Sequence, residues 1–335
     1  MTTMILAGDV GGTKTVLAIC EDDGAAPRVL REAQYPCERY PSLEAILDEF
    51  LPDPGELAGL AAACFGVAGP VEAGAAKITN LPWTIDARAL SARLGGAPVT
   101  LLNDLQATAL GALVLPPDAF ETLQEPAAPP APGATIAVIA PGTGLGEAVL
   151  VADPDGRYRA LPSEGGHADF APSTDEEIEL LRFLRGKYGS HVSNERVLSG
   201  DGIGDLYDFV RAARGAGGPD PAHLRGDDRN AAISAAALDG SDPDCVHALA
   251  LFAALLGAEA GNHALRTLAT GGVAIGGGIP PKILPLLRAG GLVARFGDKG
   301  RFGAWTRARA VRVILEPRAA LLGAAHHAAT TRGAP

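Results

Sequence analysis

Apolar residues along this chain fall into two patterns. Short, nearly continuous runs end in glycine, and longer segments repeat apolar positions every three or four residues. The first run, Met4 to Ala7, predicts a buried strand ending at Gly8-Asp9. Thr15 to Cys20 predicts its hairpin partner across a turn at Gly11-Gly12, and Arg28 to Gln34 a third strand. Leu43 to Leu51 has helical spacing behind Ser42 as N-cap. Ala61 to Val67 is a buried strand, Asp86 caps a helix from Ala87 to Leu94, Pro98 to Asn103 is a strand, and Leu105 to Leu115 a helix. The prolines at 116, 117, 126, 129, 130 and 132 then predict a loop or domain crossing over Pro116 to Gly133.

Beyond it, Thr135 to Ala140 and Glu147 to Ala152 predict a second hairpin around a glycine turn, which suggests an internal duplication. Ser173-x-x-Glu176 reads as a capping box for a helix to Tyr188. Asp242 with Pro243 starts a long helix to about Leu268. Val273 to Ile275 is a strand, Pro280 to Arg288 a helix, Val311 to Leu315 a strand and Pro317 to Ala329 the last helix. Strands alternating with helices make the class α/β, with mixed sheets because of the hairpins.

A length of 335 residues suggests two domains, and 47% hydrophobic residues supply a sizeable core. The net charge of −11, without a basic block, argues against nucleic acid or an anionic membrane as partner. The stretch around Ala248 to Ala258 is too short to span a bilayer, and no cationic segment precedes the first apolar run, so a soluble cytoplasmic protein is expected. Cys20, Cys37, Cys64 and Cys245 are dispersed and read as buried small hydrophobes.

The candidate chemistry lies in three glycine turns. Gly8-Asp9-Val10-Gly11-Gly12-Thr13-Lys14-Thr15 nearly matches a phosphate loop of the Walker type, but Thr13 stands where glycine is required and a strand follows instead of a helix. Such a turn still points backbone N–H groups and a threonine hydroxyl at an anion. Gly142-Thr143-Gly144 has the same chemistry, and Gly276-Gly277-Gly278 precedes the helix expected at Pro280, whose N-terminus would add positive potential. Together they suggest a nucleotide phosphate held between two domains.

LAGDVGGTKT resembles the first phosphate loop of the actin-like ATPase superfamily of sugar kinases, IAPGTGLGEAVL its second, and GGVAIGGGIPPKI its adenosine-side loop. With VAGPVEAGAAKITNLPWTID, LLNDLQATALGA, SEGGHADFAP and NERVLSGDGIGDLY, the chain resembles the bacterial ATP-dependent glucokinase family from Met4 to about Ala325. The cysteine-rich zinc motif of the sister group of sugar kinases and repressors is absent from the sequence, as is that group's DNA-binding segment. The resemblance implies a two-domain actin-like (ribonuclease H-like) fold around an interdomain cleft, with 1–115 plus 311–330 as small domain and 116–310 as large domain. It implies glucose and ATP as substrates, Mg²⁺, and a homodimer.

By the same resemblance Asp104 is the catalytic base. Asn80, Asn103, Asp104, Glu164, His167 and Glu195 contact the sugar. Gly8, Asp9, Val10, Gly11, Gly12, Thr13, Gly142, Thr143, Gly144, Gly276, Gly277 and Gly278 contact the nucleotide, and Asp9 reaches Mg²⁺ through water. Read without it, Asp104 could equally cap the helix from Leu105, and Glu195 is a helix first-turn acid. Carboxylates accept hydrogen bonds only, so Asp104, Glu164 and Glu195 suit a polyhydroxyl ligand and repel an anionic one. A kinase for another hexose, a non-catalytic sugar-binding regulator, and an actin-like chaperone or filament protein are the alternatives.

Overall fold

The computed structural model describes residues 3–22, 26–53, 55, 59–78, 81–216, 218–225 and 228–331. The chain divides into two compact units. One holds the chain up to Ala119, residues 158–162 and the chain from Glu316; the other holds 120–157 and 163–315.

In the first unit, β1 (Thr3–Val10), β2 (Lys14–Asp22) and β3 (Arg28–Pro36) form an antiparallel meander. Helix α1 (Leu43–Phe50) starts at Ser42, whose hydroxyl accepts from the Ala45 amide, and buries Leu43, Ile46, Leu47 and Phe50 on one face. Strand β4 (Leu60–Val67) pairs parallel with β1. A small antiparallel sheet of β5 (Val71–Glu72), β6 (Ala75–Lys77) and β7 (Thr84–Asp86) leads into α2 (Ala87–Arg93), capped by Asp86. Strand β8 (Val99–Asn103) pairs parallel with β4 and runs into α3 (Asp104–Gly111), completing the order β3-β2-β1-β4-β8. Both β1 and β4 are buried almost throughout, as expected of parallel neighbours covered on both faces. The last helix, Ala319–Thr331, packs backbone-close on α3: a Cβ at Gly323 would lie 1.8 Å from the Ala107 carbonyl oxygen, and one at Gly111 2.0 Å from that of Ala319.

The second sheet, of β9 (Phe120–Gln124), β10 (Ile136–Pro141), β11 (Leu145–Ala152), β12 (Tyr158–Ser163), β13 (Val273–Ile275) and β14 (Val311–Ile314), takes the order β12-β11-β10-β13-β14-β9; its strands belong to the second unit except for residues 158–162 of β12, which are counted with the first. The β10–β11 hairpin is antiparallel, and β13 and β14 continue parallel to β10. The run β12-β11-β10-β13-β14 therefore repeats the strand order β3-β2-β1-β4-β8, which gives the suspected duplication a topological basis. Helices α4 (Asp175–Tyr188), α5 (Gly200–Ala213), α6 (Arg229–Asp239) and α7 (Pro243–Arg266) build the core with Leu180, Leu184, Leu206, Tyr207, Phe252 and Leu256. Among the described residues α7 alone is long and apolar enough to cross a membrane, and 67% of its apolar window is buried in this core.

Several expectations need correction. Residues 120–124, within the proline-rich stretch, form β9 because they pair with β14. The cap of α4 is Thr174 with Glu177, one residue later than the expected box, while Ser173 donates to the Glu177 carboxylate. Helix α3 ends at Gly111, followed by i→i+3 bonds at Leu113 and Val114. Residues 280–283 are turn, and only Leu284–Arg288 is helical. The units divide at 119/120 and 315/316 rather than 115/116 and 310/311, since β14 is hydrogen-bonded to β13 and β9.

Candidate active site

In the first unit, β1, β4 and β8 are parallel and end on the same edge of the sheet. Asp9 pairs with Gly66 and Gly66 with Leu102, so Asp9 and Asn103-Asp104 stand at one level, about 10 Å apart across two strand spacings. The position between them demands glycine: a Cβ on Gly66 would approach Ala107 Cβ to 2.8 Å and push α3 away. Gly8 is equally constrained, with the Phe65 ring 2.4 Å from its Cβ position.

The β1–β2 turn is held from beneath. Gly11 N–H donates to Lys14 O at 3.0 Å, and the Cys37 amide donates to Thr13 O at 2.8 Å. The Cys37 thiol donates to Gly11 O at 3.5 Å and lies 3.4 Å from Thr15 Oγ1. With these carbonyls turned inward, the Gly12 and Thr13 amides have no partner among the described residues. Backbone amides left so are free to donate to an anion. Beside the turn, burial and then the Asp104 charge push the Asp9 carboxyl up to about 6, against the opposing pull of Lys14.

The N-cap of α3 is Asn103. Its Oδ1 accepts from Leu105 N–H at 3.0 Å and its Nδ2 donates to Gly69 O at 3.2 Å. Gln106 Oε1 closes the capping box on the Asn103 amide at 3.1 Å, and Gln106 Nε2 donates to Ala160 O at 2.8 Å. Asp104 is therefore the first helical residue, exposed, with its Oδ1 also accepting from Leu105 N–H at 2.8 Å. Asn103, offered as a sugar contact, already uses both ends of its side chain within the fold. Asn80 lies outside the described residues.

In the second unit, Gly142 N–H donates to Gly144 O and Gly142 O accepts from Gly200 N–H, both at 2.8 Å. The Thr143 and Gly144 amides have no partner among the described residues, as in the first turn. Gly276 N–H donates to Ile139 O at 2.8 Å, and Gly277, at φ +87°, would place a Cβ 2.2 Å from Pro141 O. The third glycine loop thus lies against the end of β10, beside the second turn. It lacks the helix dipole expected there, because the helix begins only at Leu284.

Glu164, His167 and Glu195 come together. His167 Nε2 lies 3.8 Å from Glu164 Oε2 and its Nδ1 3.9 Å from Glu195 Oε1. His167 sits in a single 3-10 turn, Gly165–His167, and Glu195 in another, Asn194–Arg196, not at the start of α5. Gly166 is forced by Leu145 O, 2.0 Å from its Cβ position. Three residues here carry no sequence signal. His191 bridges Asp169 Oδ1 at 2.9 Å and the His167 carbonyl at 3.2 Å. Glu147, on β11, is buried against Gly165 with Oε1 unpartnered, His263 Nδ1 3.4 Å from its Oε2 and Arg266 at 3.8 Å. Burial and the Glu259 carboxylate push Glu147 up to about 8. The third, Cys37, read from sequence as packing, anchors the first turn.

A family model described as glucokinase matches residues 6–331. The chain belongs to the glucokinase family. It is 38% identical to the glucokinase of Synechocystis sp. over 97% of this chain and 98% of that one. The crystal structure of a glucokinase from an Antarctic psychrotroph superposes with a TM-score of 0.87 at 31% identity, over 98% of this chain and 99% of that one. A ROK family glucokinase from Streptomyces griseus, at 22% identity and a TM-score of 0.62 over 98% of this chain and 99% of that one, shares the fold. The fold is that of the actin-like sugar kinases, and the chain is an enzyme, an ATP-dependent kinase of glucose.

Proposed function

We propose that the chain transfers the γ-phosphoryl group of ATP to the 6-hydroxyl of glucose with Asp104 as general base. The observation that carries this reading is the placement of Asp104: exposed, at the C-terminal end of β8, with the N-cap role taken by Asn103. Ligands of open α/β sheets gather at that edge. The hydroxyl oxygen forms its bond to phosphorus as the bond to the ADP oxygen breaks, and the hydroxyl proton passes to the Asp104 carboxylate. A base in this role contributes about 10²- to 10⁴-fold.

The unpartnered amides of Gly12, Thr13, Thr143 and Gly144 are donors for phosphate oxygens. Gly8, Val10 and Gly11 shape the first turn, Gly142 the second, and Gly276, Gly277 and Gly278 face the adenosine. Asp9 fits Mg²⁺: it is a half-buried carboxylate whose charge is disfavoured by burial and by Asp104, and a divalent cation relieves both. Bound there, the ion would neutralise charge on the phosphates. Glu164, His167 and Glu195 take the sugar hydroxyls, and a sugar lacking one leaves a polar partner unpaired at about 1–3 kcal/mol. The Streptomyces griseus structure holds glucose and AMPPNP, the ligand pair this reading requires. A cytoplasmic setting, supported by four free buried thiols, and a homodimer complete the proposal.

The test is a coupled assay of glucose-dependent ADP formation with a panel of hexoses, wild type beside Asp104→Asn. Glucose 6-phosphate formation that collapses in the variant while glucose still binds is expected. A variant that keeps more than about a tenth of the rate is incompatible with a general base.

A further inference from the structure

Glu195 is offered by the resemblance as a sugar ligand alone, yet only one of its oxygens faces the sugar constellation. Oε1 lies 3.9 Å from His167 Nδ1. Oε2 accepts the Leu145 amide at 2.9 Å, directly after the Gly142–Gly144 turn. The same oxygen lies 2.4 Å from the Cβ position of Gly144, so the turn and the carboxylate interlock. The segment that carries Glu195 is fixed at both ends. Upstream it is pinned to the sugar loop by Phe170 N–H to Val192 O at 2.8 Å, Asn194 N–H to Ala168 O at 2.9 Å and an antiparallel bridge between Asp169 and Ser193. Downstream, Gly200 N–H donates to Gly142 O.

We propose that Glu195 is a positioning residue for the nucleotide turn as well as a sugar ligand, its Oε2 holding the Leu145 amide so that the Thr143 and Gly144 amides stay aimed at phosphate. This rests on the reading of residues 142–144 as a phosphate turn. A glutamine at 195 keeps an oxygen for the Leu145 amide, whereas an alanine keeps none.

The test is calorimetric binding of ADP in the absence of any sugar, which a pure sugar ligand would not affect. Glu195→Ala is expected to weaken ADP about tenfold, the worth of a hydrogen bond to a charged group, with Glu195→Gln within about twofold of wild type. Both variants raise the KM for glucose. Gly144→Ala, whose Cβ displaces Oε2, reproduces the alanine loss, and the Gly144→Ala/Glu195→Ala double variant adds little to it. If Glu195→Ala binds ADP like wild type, or Glu195→Gln loses as much as Glu195→Ala, the positioning role is wrong. A wild-type protein that fails to bind ADP overturns the phosphate reading itself, and this role with it.

Discussion

Replacing Asp9 by asparagine should make the free protein more stable while disabling its nucleotide site. The carboxyl of Asp9 titrates near 6 in the folded chain against 3.8 for an ordinary aspartate, chiefly because of burial and then because of Asp104. A carboxyl with a raised folded pKa binds its proton more tightly in the native state, so stability falls as pH rises from about 4 to about 6. Above that window the full cost is present. Two units correspond to about 3 kcal/mol, and solvent screening at a half-buried carboxylate brings the expected gain of Asp9→Asn to about 1–3 kcal/mol at pH 8. The gain shrinks toward zero at pH 4. Urea denaturation of ligand-free wild type and Asp9→Asn at pH 4, 6 and 8 reads the difference directly. In the wild type, kcat/KM for ATP should fall below about pH 6 as Asp9 takes up its proton. An Asp9→Asn protein no more stable than wild type at pH 8, or with a gain independent of pH, would refute the electrostatic account of this strand end.

Other outcomes follow from the same geometry. Gly323→Ala drives a Cβ into the backbone of α3 at Ala107 and Gly111, where neither atom can rotate away. It should cost about 2–3 kcal/mol in thermal unfolding and lower kcat, since α3 carries Asp104. Glu147 also has a raised folded pKa, so its burial costs stability as pH climbs through about 4.5 to 8. Glu147→Gln should therefore melt higher than wild type at pH 9, by a margin that shrinks toward zero at pH 4. Cys37→Ala removes the thiol bond to Gly11 O and should raise the KM for ATP about 3- to 10-fold without moving that for glucose. Cys37→Ser, which restores a donor, should stay near wild type in the same steady-state assay.

The local signals were strong where one short segment carries its own instruction. Ser42, Asp86 and Asp242 cap the helices they precede, and Val273–Ile275 is a strand as its apolar run requires. The two glycine turns follow from hairpins whose flanks are apolar on both sides, and the motifs around them sufficed to name the family. Where the outcome depended on a partner distant in sequence, sequence alone was insufficient. Strand β9 exists because β14, far along the chain, supplies its hydrogen bonds. The helix at Leu284 starts late because residues 277–279 are held against Pro141 at the end of β10.

The chain's own residue order determined its α/β class, its turns, its caps and the set of groups able to do phosphoryl transfer. Tertiary structure decided what each group is left to do. Asn103 is committed to its cap and to Gly69, and Asp104 beside it begins the helix. Cys37 turns from filler into the anchor of the β1–β2 glycine turn. Glu195 divides its oxygens between His167 and the Leu145 amide. Capping and periodicity act over a few residues and are encoded there. Hydrogen-bond partners and the desolvation of carboxylates such as Asp9 and Glu147 depend on segments that meet only once the sheets have formed.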